Sequence, residues 1–405
     1  MKKYFKSFCV IFFTLFFIQS LYLQSQEKID PKIWNKALKI HHRNIVIDTH
    51  CDTPMVMFNR GVNIGEKSDS NEVDLIRMKE GGLDAVFFAV YISNKLDKKH
   101  PSRRALEIID EVYNQVSKYP ELAELAFSSL DIRRIHKLEK RAILIGMENG
   151  GPIEGSLRLL RDFYRLGVRY ITLTHNQHND ICDSSTGGEP RWEGLSPFGR
   201  KVVKEMNRLG MVIDVSHISD LAFWDVLKIS KVPVIASHSC VRAICNTPRN
   251  LSDKMIKALA AKGGVIQLNF YSGFLEEEFR KKSEEKYKLM QPQLKELEEK
   301  YKDNEAELWE AFSKLWKKHA PPPASVEVLL NHIDHIVKLV GVDYVGLGSD
   351  YDGAGSFPRG LEDVSKYPLI TYHLLKRGYK EKEIKKILGE NFLRVFSAVE
   401  NLRNK

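Results

Sequence analysis

The chain has 405 residues, 43% hydrophobic and 28% charged, which allows one large barrel domain of about 250 residues with insertions and excludes a wholly disordered protein. Formal net charge is +9, but Lys2, Lys3 and Lys6 sit in the N-terminal segment. The remaining basic residues form no run interleaved with aromatics, so nothing indicates a nucleic-acid partner.

The N-terminus reads as a signal peptide over residues 1–25: three lysines, then an apolar run from Phe8 to Leu23, with Ser20 and Ser25 as small residues near its end. The run is short for a permanent span, which needs about 20 apolar residues. The expectation is therefore an exported protein, periplasmic or secreted, with membrane association only if the segment is not cleaved. Past it stand Cys51, Cys182, Cys240 and Cys245. Exported thiols can pair in several ways, and no pairing follows from the sequence.

Residues 26–405 read as a single domain. Short β-branched or apolar runs alternate with helical patterns, the signature of a parallel α/β fold. The predicted strands are 45–49, 83–90, 142–147, 170–174, 211–216, 232–237, 264–269 and 344–349. Eight such strands predict a closed (β/α)8 barrel of the TIM type. An open doubly wound sheet is the competing topology, and no Gly-x-Gly-x-x-Gly follows the first strand to favour it.

Acidic groups and histidines cluster where these strands end. The first runs into His50-Cys51-Asp52, the third into Glu148 and the fourth into His175; the fifth, sixth and eighth end at His217, His238 and Asp350. Barrel enzymes assemble their sites from the C-terminal ends of several strands. One such histidine is usually a hydrogen-bonded loop residue. Four histidines and three acids on one rim point to metal, because buried charge must be compensated.

His50 and Asp52, two apart on a strand, face the same side and suit one zinc ion. His217 and His238 serve a second, and Glu148 has two oxygens with which to bridge, for ions about 3.5–4 Å apart. Other histidines read as structural: His332 and His335 on a helical stretch at 326–339, and His41 and His42 ahead of the barrel. His178 is a candidate for supporting the site from behind.

The segments IDTHCDTP, IGMENGG, YITLTHNQHND, GMVIDVSHIS, VPVIASHS, NTPRNL and VGLGSDYDG together resemble the membrane dipeptidase family of zinc peptidases, among the amidohydrolase-type barrels. The resemblance spans nearly the whole exported chain. It implies a two-zinc site in which a bridging hydroxide hydrolyses dipeptides. His50 and Asp52 match the ligands of one Zn2+, His217 and His238 those of the other, and Glu148 the bridge. His175 matches the residue at the scissile carbonyl, Arg249 the arginine that holds the substrate carboxylate, and Asp350 the acid/base. Tyr271 falls near the substrate pocket.

Cys51 stands where asparagine is frequent, and Met55 where some relatives carry tryptophan, so the pocket wall differs. Residues 274–323 form a charged insertion between strands 7 and 8, in which Leu308, Phe312 and Leu315 mark an amphipathic helix. A hairpin over the barrel mouth, a homodimer contact and an inert excursion are all open roles for it. Two rival functions remain: a barrel amidase or lactonase, and a non-catalytic zinc-dependent binding protein.

Overall fold

A computed structural model describes residues 29–93, 99–302 and 304–402; the expected signal peptide lies outside them. Nine parallel strands form its sheet: β1 Ile47–Cys51, β2 Ala85–Tyr91, β3 Ala123–Leu125, β4 Arg141–Glu148, β5 Val168–Thr172, β6 Val212–Asp214, β7 Ile235–Ala236, β8 Val265–Leu268 and β9 Val345–Leu347. Their order is β1-β2-β4-β5-β6-β7-β8-β9. The circle meets again where Asp350 N donates to His50 O (2.9 Å) and Asp52 N to Tyr351 O (2.8 Å). The result is a nearly closed eight-stranded (β/α)8 barrel. All eight predicted strands are present.

The short β3 was not foreseen. It pairs with the first half of β4, and its three residues, Ala-Glu-Leu, carry no β-branched signal. The first strand also runs further than expected, so that His50 lies within β1. Between Asp48 and Cys51, β1 carries one residue more than β2 opposite it. This bulge falls at Thr49–His50, and bulges re-aim side chains beside active sites.

Alternation along the strands fills the barrel. Ile47, Ala85, Phe87, Leu144, Tyr170 and Val265 belong to one buried cluster, whereas Val86, Phe88, Ile143 and Ile145 join the larger layer shared with the surrounding helices. Burial on both faces explains why these strands read as continuous apolar runs.

The helices set the length of the loops that carry the site. Helix α1 (Thr53–Arg60) starts directly after Asp52. The helices Pro197–Leu209, Asp220–Ile229 and Asp253–Ala261 start at Ser196, Ser219 and Ser252, whose hydroxyls accept from the N–H three residues on. The charged insertion folds into α2 (Glu277–Lys300) and α3 (Glu305–His319). Phe279, Met290, Leu294 and Trp316 pack between them, with Tyr271 and Phe312 against that cluster. The C-terminal α4 (Asn391–Leu402) lays Phe392 and Phe396 against Phe87, 5.3 and 6.3 Å between ring centres.

Candidate metal centre and substrate cavity

The strand tips bring the expected residues together. Glu148, the last residue of β4, places Oε1 3.6 Å from His50 Nε2, 3.7 Å from His175 Nε2, 3.1 Å from His217 Nε2 and 3.3 Å from His238 Nε2. His50 Nε2 is also 3.5 Å from Asp52 Oδ2. Asp350 joins His50 and Asp52 in a group whose ligand atoms lie within 4.8 Å of one another.

Three of these rings are oriented from behind. His50 Nδ1 meets Tyr170 Oη at 2.7 Å, His217 Nδ1 meets Asn176 Oδ1 at 3.1 Å, and His238 Nδ1 meets Ser237 Oγ at 2.7 Å. Gly146 makes the first contact sterically feasible, because a Cβ there would lie 2.1 Å from Tyr170 Cζ. The amide oxygen of Asn176 only accepts, so His217 Nδ1 donates and its Nε2 keeps the lone pair. That Nε2 faces His238 Nε2 at 2.9 Å.

This donor set fits divalent metal. Buried polar atoms are normally satisfied, yet His50 Nε2 is buried with no hydrogen-bond partner among the described residues. Burial and the nearby Glu148 push the Asp52 carboxyl well up. Burial would also raise Glu148, but the surrounding imidazoles of His175, His50, His217 and His238 hold it well below the carboxylate range. Burial keeps His238 down at about 3 and His217 well below its ordinary value. Burial opposes charge on His50, but Tyr170 and Glu148 raise it well above its ordinary value, so the acids beside it already favour a cation at that point. Imidazoles and carboxyl groups gathered in one buried cluster are ligands for a divalent ion such as zinc.

Two of these residues adopt a costly backbone. His217 (φ 67°) and Asp350 (φ 66°) occupy the left-handed region, at about 1–3 kcal/mol each where the surroundings enforce it. Asn269 Nδ2 holds Asp350 Oδ2 at 2.8 Å, and Asn269 Oδ1 accepts from Tyr271 N at 2.6 Å, which fixes the amide's orientation.

Above the cluster opens a cavity of about 980 Å³, lined by Asp52, Glu148, His175, His217, Arg249, Tyr271 and Asp350. Arg249 is buried. It donates from Nη2 to His238 O (3.2 Å) and from Nη1 to Ser239 Oγ (3.5 Å), and lies over the Phe274 ring at 5.1 Å. Its Nε has no hydrogen-bond partner among the described residues. Asp253, the acid four residues on, pairs with His335 at 2.8 Å and not with Arg249. Burial draws His175 down to about 4, so it is neutral near pH 7. Tyr271 stacks edge-on against Phe274, and burial raises its phenol to about 12.

The insertion shares this cavity: Ser283, Tyr287, Trp309, Phe312 and Trp316 line its outer wall. Trp316 Nε1 reaches Ser356 Oγ at 3.3 Å, tying α3 to the loop after β9. Sequence reading missed Tyr91, whose ring meets His175 edge-on at 4.7 Å between centres. Its signal was its place at the tip of β2. Of the supporting residues, Tyr170 and Asn176 lie in the segment YITLTHNQHND without having been singled out, and Asn269 lies in none of the recognised segments. His178 braces the loop behind His175, accepting from Ser184 N at 3.0 Å.

Known proteins share this chain's sequence and fold. Mouse Dipeptidase 3 is 34% identical over 387 residues, covering 93% of this chain and 69% of the mouse protein. Dipeptidase tcpJ of Claviceps purpurea is 34% identical over 344 residues, covering 83% of this chain and 71% of that protein. The crystal structure of the "probable dipeptidase PvdM" from Pseudomonas aeruginosa superposes with a TM-score of 0.78 at 27% identity, covering 92% of this chain and 100% of that one. Residues 34–405 match the family described as membrane dipeptidase, peptidase family M19, and the chain belongs to that family of metallopeptidases.

Proposed function

We infer that the chain hydrolyses the peptide bond of dipeptides with two zinc ions, His50 and Asp52 holding one, His217 and His238 the other, and Glu148 shared between them. One observation carries this reading: a single buried carboxylate oxygen stands within 3.1–3.7 Å of four imidazole nitrogens, directly beneath a cavity that also contains a buried arginine.

When bound, the ions would supply Lewis acidity and make hydroxide available from water near neutral pH. The remaining work falls to the chain's own groups. Arg249 receives the substrate's terminal carboxylate through its free Nε and the adjacent Nη, a charge-assisted contact. That carboxylate, one residue beyond the scissile bond, selects dipeptides. His175, neutral at working pH, directs an N–H at the carbonyl oxygen as negative charge builds there. Asp350, one oxygen tied to Asn269, takes the proton of the attacking water on the other oxygen and delivers it to the leaving amine. The N-terminal lysines and apolar run support export of the enzyme.

Assaying the purified protein on a panel of free and C-terminally amidated dipeptides, with and without chelator, tests this function. Hydrolysis of free dipeptides that chelator abolishes is the expected result. Chelator-resistant hydrolysis, or equal use of amidated substrates, would contradict it.

A further inference from the structure

Two buried aspartates occupy matching positions beneath the metal centre. Asp48 Oδ1 accepts from His50 N (3.0 Å) and Ser349 N (2.9 Å), and Asp214 Oδ1 accepts from Ser216 N (3.0 Å) and Ser237 N (2.7 Å). Each therefore binds the N–H two residues ahead in the chain and one N–H just past the end of the neighbouring strand. The second oxygens are also occupied. Asp48 Oδ2 takes Tyr367 Oη and Cys51 Sγ, and Asp214 Oδ2 takes Thr172 Oγ1 (2.5 Å) and Ser237 Oγ (2.6 Å). Both side chains are fully buried.

The two clamps fall where the barrel is least laddered. β6 and β7 share one register pair, and β1 meets the far side of the barrel through the bridge Cys51↔Tyr351, against seven pairs between β2 and β4. Those two seams carry His217 with His238, and His50 with Asp350.

Asp214 does one thing more. The Ser237 hydroxyl has one proton and directs it to the Asp214 carboxylate, so its oxygen must accept from His238 Nδ1 at 2.7 Å. His238 is then fixed as the Nδ1–H tautomer, with the Nε2 lone pair aimed at Glu148 and the cation. We propose that Asp48 and Asp214 are positioning residues that stitch the two thin seams, and that Asp214, through Ser237, also sets the tautomer that lets His238 bind metal. The proposal rests on the two-zinc reading and adds to it the groups that prepare its ligands.

Asp214→Asn separates the two roles. The asparagine oxygen keeps the two backbone N–H groups, which puts its NH2 against Ser237 Oγ. The Ser237 proton then turns to His238 Nδ1, nearer than Ser216 Oγ at 3.5 Å, and Nε2 becomes the protonated nitrogen. Asp48→Asn alters an equally buried carboxyl group without touching that relay, and Ser237→Ala removes the relay while leaving Asp214 on its backbone donors.

The test uses full-length protein stripped of metal, with ring nitrogens read by proton–nitrogen correlation spectroscopy and zinc affinity by competition with a chromogenic chelator. The expected result is Nδ1–H at His238 in the parent and in Asp48→Asn, but Nε2–H in Asp214→Asn. One zinc should be weakened about 10- to 100-fold in Asp214→Asn, and weakened also in Ser237→Ala. Unchanged His238 spectra in Asp214→Asn, parent-like zinc binding in Ser237→Ala, or Nε2–H in the parent would each overturn the proposal. If Asp214→Asn does not fold, Ser237→Ala decides. A parent that binds no zinc would overturn the two-zinc reading instead, while the parent's His238 spectrum still tests the tautomer.

Discussion

Gly353 lies so close to Asp52 that a Cβ on it would stand 2.1 Å from Asp52 Oδ2, and 2.8 Å from Asp350 Oδ1. One missing methyl thus makes room for a candidate metal ligand and the candidate acid/base together. Gly353→Ala should fold, since the residue lies in a loop, but move both carboxylates. A misplacement of about 1 Å costs catalysis on the order of 100-fold. Steady-state kinetics beside a melting curve checks this: kcat/KM should fall by about that factor with little change in Tm. Parent kinetics would show that neither carboxylate needs its present position.

The glycine also shows what the sequence made legible. His50, Glu148, His175, His217, His238 and Asp350 could be found because each sits at the tip of an apolar run, and a barrel gathers strand tips. Gly353 sits in the recognisable segment VGLGSDYDG, but the reason for a glycine there is a distance to Asp52, some 300 residues away in the sequence. Asp48, Asp214 and Tyr170 were hidden differently. They lie inside strands that read simply as buried, and only the barrel's closure shows what their polar atoms reach. The hairpin was legible as a helix through Leu308, Phe312 and Leu315. That it lines the cavity is a matter of tertiary packing.

Arg249 tests the substrate class. A hydrogen bond to a charged group is worth about 1.5–3 kcal/mol, so Arg249→Met should lower kcat/KM on free dipeptides by about 10- to 150-fold. On C-terminally amidated dipeptides, already poor substrates, the same mutation should change little. Equal losses on both would assign Arg249 to support of the fold.

Asp350 tests the proton path. Asp350→Asn should retain zinc, measured by elemental analysis, and lose turnover by about 100- to 10,000-fold. Loss of zinc alongside activity would make Asp350 a ligand rather than the proton carrier.

His332 sets an acid limit on stability. Val241 N can only donate, so His332 Nδ1 accepts it (3.0 Å) and Nε2–H donates to Leu275 O (2.9 Å). Protonation would break the first bond. Burial lowers this histidine to about 4, the Leu275 carbonyl opposing and His335 adding slightly. Its folded pKa lies below the unfolded value of about 6.5. The unfolded chain therefore binds more protons between those values, and stability falls as pH drops from 6.5 towards 4 by about 1.4 kcal/mol per unit. Urea unfolding at pH 7 and pH 5 measures this. His332→Gln should be less stable at pH 7, but its loss between the two pH values should be smaller by about 2 kcal/mol. Equal pH losses would show that His332 titrates normally.

The central claim is that two zinc ions together make this chain a dipeptidase. Chelator-stripped protein is titrated with zinc while hydrolysis of a free dipeptide is followed. The account predicts activity that becomes full only as about two equivalents bind, with elemental analysis of the active protein giving the same ratio. Full dipeptidase activity at one equivalent, or with no metal, would contradict it.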